Sequence, residues 1–181
     1  MAELLETRYS LNAYEVEPLP NLLEVPVKAF EWFCFQGIRE VFDEVFNTDV
    51  LIDVPIAKHH GSAILTLGMK NLMGLIRNRS ALHTNLGQSI AALNTLIRPT
   101  LTVIDAVRIL MVNGPSGGNL DDVKKLDTVI ASTDIVAADS YATTLFGMRP
   151  EDIPYIQAGA DMGLGIKDLA TLKIEEISLG T

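Results

Sequence analysis

Every histidine in this 181-residue chain, and two of its lysines, fall between Lys58 and His83. In order, the stretch carries Lys58-His59-His60, Gly61, Gly68, Lys70-Asn71 and His83. Neutral imidazole is the usual proton donor and acceptor near neutral pH, and the commonest metal ligand. A lysine partly withdrawn from water beside a second cation has its pKa lowered, which suits a nucleophilic or acid–base amine. Lys58, His60 and Lys70 are therefore the candidate catalytic groups. His59 and Asn71 are candidate ligand contacts, and His83 is a candidate metal ligand. Gly68 lets a ligand approach the backbone. Blander roles stand beside these: histidines that cap a strand end, a loop histidine at 83, and a lysine whose stem packs on Leu67 while its head reaches water.

Other polar groups interrupt apolar surroundings. Asp53 and Asp105 break strand-like runs, and a carboxylate in a buried strand needs a partner, so each is a satisfied core acid or a pocket ligand, with Asp105 a candidate ligand contact. The loop Asn113-Gly-Pro-Ser-Gly-Gly-Asn119 is the most turn-rich stretch of the chain. Asn113, Gly117 and Gly118 could cradle a phosphate or carboxylate through backbone N–H groups, although a plain surface turn fits the same residues. The loop lacks the order of a nucleotide-binding P-loop, and GxGxxG occurs nowhere. Asp139 sits within an apolar helix face, which suggests a ligand contact or a lysine partner.

The elements that must position these groups follow from periodicity. Residues 1–29, with three prolines, read as an extended, partly edge-strand segment. Phe35, Ile38, Phe42, Val45 and Phe46 predict an amphipathic helix over 30–46. The nearly continuous apolar run Val50 to Ala57 predicts a buried strand of a mostly parallel sheet. Lys58-His59-His60 would then emerge beyond its carboxyl end, where ligands collect in such sheets. If the strand persists through them, His59 and His60 point to opposite faces. Helical character is expected over 66–76, 88–97, 135–146 and from Pro150 to about Met162, with Asp134 as an N-cap. Further strands are expected over 101–110, 128–132 and, closing the sheet at an edge, 172–179. Strands alternating with helices give a single layered α/β domain over 1–181, with a mostly parallel or mixed sheet flanked by helices.

Composition narrows the function. Net charge is −9, from 14 basic and 23 acidic side chains, so a nucleic-acid partner is not expected. The basic groups gather at Lys58, Lys70, Arg77 and Arg79, which suits a small anion better than a polymer. No apolar run approaches the roughly 20 residues of a membrane helix, and the first ten residues lack the apolar core of a signal peptide. A cytoplasmic location with no membrane contact is expected. Cys34, within Trp32-Phe33-Cys34-Phe35, reads as a buried hydrophobe, and one cysteine cannot hold an iron–sulfur cluster.

The runs DVLIDVPIAKHHGSAILTLGMKNLMGLI, LNTLIRPTLTVIDAVRIL, NGPSGGN, LDTVIASTDIVAADSYATTLFG and EDIPYI, within residues 45–178, resemble the DUF362 family of uncharacterised proteins. Many members of that family carry a ferredoxin-like segment, so the resemblance implies an iron–sulfur partner protein rather than a cluster on this chain. Members also usually have another α/β portion before this region. A shortened form of the family fold, and a homodimer that buries the sheet surface left uncovered, are therefore expected. His60, Gly61, Gly68, Lys70 and His83 also follow an order similar to that of the nickel-pincer lactate racemase family. That likeness implies Lys70 as an anchoring amine, His60 as an acid–base group and His83 as ligand to a divalent metal. The glycine pair expected before the lysine is incomplete, since Met69 follows Gly68. The functional expectation is an enzyme or enzyme subunit binding a small anionic metabolite. Its alternatives are a redox-associated accessory protein docking to an iron–sulfur partner, and a non-catalytic scaffold.

Overall fold

Leu101–Leu110 (LTVIDAVRIL) is rich in β-branched and aliphatic residues, and it forms the strand around which the computed structural model is built. The structure describes residues 13–15, 40–76, 79–116 and 118–179; elements are numbered in chain order. Strand β3 (Ile52–Asp53) and strand β4 (Ile56–His60) run parallel to β6 (Leu101–Leu110) on one side. Strand β7 (Val123–Ser132) pairs antiparallel on the other, and β5 (Ile64–Thr66) returns antiparallel along β4. Pro55, which has no N–H to donate, falls between β3 and β4, and its carbonyl still accepts from the Asp105 N–H at 2.8 Å. A separate antiparallel pair joins β1 (Ala13–Glu15) to β2 (Glu40–Phe42).

The helices are α1 (Gly68–Asn71), α2 (Leu86–Leu96), α3 (Ile135–Thr143) and α4 (Pro154–Asp161). Helix α3 lies against β6 and β7, α1 against β5 and β6, and α2 packs on α4. The sheet is sided. Asp53, Pro55 and Ala57, with Thr102, Ile104 and Ala106, are buried toward the helices, while Ile52, Val54 and Ile56 alternate outward. This is the expected layered α/β arrangement with a mixed sheet.

Several expectations are corrected. Of the helix read over 30–46, residues 40–42 are strand β2 and 43–45 a short 3₁₀ turn; the earlier residues, with Cys34 and Trp32, lie outside the described set. Val41 is buried and bridges Ile76, so the apolar spacing there serves a strand that faces the core on one side. The run 50–57 is not buried on both faces. Lys58-His59-His60 do not emerge beyond the strand but lie within β4. Strand β7 begins at Val123 rather than Thr128, because its polar first half still pairs with β6. Residues 172–179 form no strand. They run beside β7 and α3, bordering a cavity of about 400 Å³, and Tyr141 Oη donates to Glu176 Oε1 at 2.6 Å.

Candidate functional site

The β4–β5 hairpin fixes the central groups. Strand alternation sets Lys58 and His60 on one side and His59 on the other, with Lys58 opposite Thr66 in the register. Leu65 and Leu67 are fully buried, which anchors β5 and leads directly into α1. That short helix is held at its start by a carboxylate from far along the chain. Asp139 Oδ1 accepts the Gly68 N–H at 2.7 Å and Oδ2 accepts the Met69 N–H at 2.9 Å. Burial pushes the Asp139 carboxyl well above the ordinary range, and these two N–H groups pull it back in part. Asp139 therefore pairs with backbone rather than with a lysine, and being fully buried it is a positioning group in this arrangement. A Cβ on Gly68 would lie 2.9 Å from both Asp139 Oδ1 and Thr102 Cγ2, so glycine is what allows this approach.

With α1 so placed, Lys70 faces the hairpin. Burial lowers its pKa, and the charges of Lys58 and Arg79 lower it further. His60 is held down to about 4 by burial, then by Lys70, His83, His59 and Lys58. Lys58, His60, Lys70, Arg79 and His83 are thus one electrostatic cluster. Among the described residues, no carboxylate forms an ion pair with Lys58, Lys70 or Arg79.

Hydrogen bonds set the imidazole protons. His60 Nδ1 accepts the backbone N–H groups of Ser62 (3.1 Å) and Ala63 (3.2 Å), so the neutral ring carries its proton on Nε2. His59 Nδ1 accepts the Gly114 N–H at 3.0 Å. His83 is opposite in sense: its Nδ1 lies 3.0 Å from the Arg79 carbonyl, which can only accept, so Nδ1 holds the proton and Nε2 a lone pair. The cluster therefore holds one imidazole presenting N–H and one presenting a lone pair. Among the described residues no group of three or more His, Cys, Asp or Glu is placed to hold a metal ion.

The 113–119 loop is fastened behind the hairpin. Besides the His59 bond, Gly61 N–H donates to Gly114 O at 3.2 Å, and a Cβ on Gly114 would fall 2.0 Å from His59 O. Asn113 Nδ2 donates to Asp122 Oδ2 at 2.9 Å, so its side chain is occupied within the loop. Gly118 has open space around it, and Gly117 and Arg77 lie outside the described residues. Asp105 Oδ1 accepts the Val107 N–H at 2.9 Å, on the outward side of the sheet. Asn71 Nδ2 donates to Asp53 Oδ1 at 2.7 Å.

Three further contributors complete the surroundings, and only Asn94 was invisible in sequence. Asp53 is almost fully buried, its Oδ2 has no partner among the described residues, and burial raises its pKa to about 6 against the lowering effect of Asn71. Arg79, noted in sequence among the gathered basic groups, adds its charge to those that lower the Lys70 pKa. Asn94, on an apolar face of α2, donates to Met69 O at 3.0 Å and so supports α1, with nothing local to announce it.

A two-layer α/β fold with a cationic, imidazole-bearing hairpin at one sheet margin defines the class of protein. Residues 4–144 match the family model described as a domain of unknown function, DUF362, and the chain belongs to that family. It is similar to a thylakoid-associated protein, sll1697, of Synechocystis sp., with 25% identity over 162 residues, covering 81% of this chain and 50% of that protein. A shorter stretch is 41% identical over 61 residues to the DNA-directed RNA polymerase subunit beta of Mycoplasma capricolum, covering 34% of this chain and 4% of the subunit. The chain thus spans half the length of the first relative and a small part of the second. No solved structure matches. Among the described residues no helix is long and apolar enough to cross a membrane.

Proposed function

We propose that the chain binds a small anionic molecule at the cationic cluster of Lys58, His60, Lys70, Arg79 and His83. One observation carries this reading: cations whose charges, with burial, lower the pKa values of His60 and Lys70 gather in a protein of net charge −9, and among the described residues no carboxylate pairs with Lys58, Lys70 or Arg79. Such a cluster is most stable when an anion supplies the missing negative charge. Neutral His60 offers an Nε2–H donor, Lys58 and Lys70 offer ammonium groups, and Arg79 offers a planar fork suited to carboxylate or phosphate. The complementary imidazoles favour an enzyme that moves a proton on the bound anion, with His83 Nε2 accepting and His60 Nε2–H donating. His83 Nε2 is also where a divalent metal would find a lone pair, with further ligands coming from the bound anion.

Calorimetric titration of the purified chain with inorganic phosphate and with citrate tests the reading. Binding is expected in the wild-type chain, and Lys70→Ala is expected to weaken it at least about tenfold, roughly 1.4 kcal/mol, with little change in melting temperature. A large loss of stability with binding intact, or no binding of either probe at millimolar concentration, would overturn it.

A further inference from the structure

Lys70 stands between two residues that are tied down, while its own side chain is tied to nothing. Met69 gives its N–H to Asp139 Oδ2 at 2.9 Å, and its carbonyl accepts from Asn94 Nδ2 at 3.0 Å. Asn71 donates its backbone N–H to Leu67 O at 2.9 Å and its side-chain amide to Asp53 Oδ1 at 2.7 Å. The backbone that carries Lys70 is thus held from β3, α2 and α3 at once. Among the described residues the Lys70 ammonium has neither a hydrogen bond nor an ion pair, and the side chain is half-buried. A lysine kept only for its charge gains from a carboxylate beside it, which favours the protonated form. Here every influence runs the other way: burial, then Lys58, then Arg79 lower the Lys70 pKa, which raises the share of free amine near neutral pH. A desolvated lysine next to other cations, on a fixed backbone, is the arrangement of a nucleophilic amine.

We infer that Lys70 Nζ is a covalent nucleophile, and that the anion bound beside it carries an aldehyde or ketone, as a 2-oxo acid does, with which the amine forms an imine. The inference rests on the anion site proposed above and names the class of its ligand. Lys58 and Arg79 hold the acid group, and neutral His60 donates its Nε2–H to the carbonyl oxygen, where negative charge develops as nitrogen attacks. The new bond joins Nζ to the carbonyl carbon, and the carbon–oxygen bond breaks in the second stage. Of the ammonium's three protons, the His83 Nε2 lone pair takes one before the attack and returns it to the departing oxygen. A second passes to that oxygen directly, so that it leaves as water, and the third stays on the iminium. The positive charge is conserved and no oxidant or reductant is needed.

Pyruvate and 2-oxoglutarate are the probes, each mixed with the full chain near neutral pH and then treated with sodium borohydride, which reduces an imine to a stable secondary amine. Intact mass and peptide mapping locate the product. One adduct per chain is expected, on Lys70, in at least about tenfold excess over any other lysine. Lys70→Arg keeps the charge but has no primary amine, so it is expected to lose the adduct while binding inorganic phosphate within about threefold of the wild type. Because the adduct is mapped in the wild-type chain, the test stands even where that variant fails to fold. Phosphate binding with no adduct from either probe would overturn the inference and leave the anion site standing; absence of both would remove the site and the inference together. An adduct spread evenly over the lysines, or one formed as readily from butanal, which has no acid group, would also overturn it.

Discussion

Asp53 and His60 are two groups whose burial works against their charged forms, and they oppose one another in pH. Asp53 has its pKa raised to about 6 from 3.8, so the folded chain holds a proton that the unfolded chain releases over that interval. Its contribution is greatest below the unfolded value and is lost as pH rises through about 6. His60, lowered to about 4 from 6.5, contributes in the other direction: what it gives at neutral pH is lost as pH falls toward 4. Asp53→Asn keeps the oxygen that accepts from Asn71 and places an uncharged amide where Oδ2 now lacks a partner. At about pH 8 the variant should be more stable than the wild type by up to roughly 2–3 kcal/mol, with the difference vanishing near pH 4. Between pH 4 and 6.5 its stability should rise relative to that of the wild type, because Asp53 no longer opposes the histidine slope, although the buried Asp139 carboxyl still does. Urea unfolding midpoints at five or six pH values would show both effects. The grouping of the imidazoles with the lysines was legible in the sequence because it is local, all within twenty-six positions. The proton placements were not, because each depends on a backbone partner that only the folded hairpin and loop supply.

Among the elements, α1 depends most on distant residues. It has four residues and no side-chain cap of its own at Leu67, so Asp139 from α3 holds its first two N–H groups. Gly68→Ala drives a methyl against Asp139 Oδ1 and Thr102 Cγ2 and should destabilise the chain by about 1–3 kcal/mol. Thermal or urea unfolding measures the loss; a neutral substitution would mean that α3 can shift away from the sheet without penalty. Elements with strong internal pattern were read well from sequence. The strand Leu101–Leu110 was expected with the boundaries observed, and the helix ending at Leu96 was marked by its apolar spacing and by Pro99. Weakly patterned elements were not. Lys58-His59-His60 look like loop because polar side chains occupy a strand where it opens onto the candidate site. Leu172–Leu179 looks like strand, yet strand formation needs a neighbouring edge at ladder distance, and the cavity beside β7 intervenes.

For the whole molecule, the order of strands and helices announced the α/β class and the mixed sheet, whereas the inward and outward sides of the run Val50 to Ala57 did not appear. Val50 to Ala57 reads as apolar on both sides. Only the position of the helices shows that Asp53, Pro55 and Ala57 face inward while Ile52, Val54 and Ile56 face out. The bonds that close the fold also span it. Residues Leu65, Gly68 and Met69 are tied to Asp139 and Tyr155, seventy to ninety positions later. The 113–119 loop is the covalent link between these halves. A chain cut there would yield one fragment holding most of the sheet and α2, and another holding β7, α3 and α4. Each would expose aliphatic residues meant for the other, so neither should fold alone. Mixed in equal amounts, the two should restore the circular dichroism spectrum of the intact chain. The protein therefore has the layout of a split reporter, whose reconstitution could be placed under the control of any pair of proteins fused to its fragments.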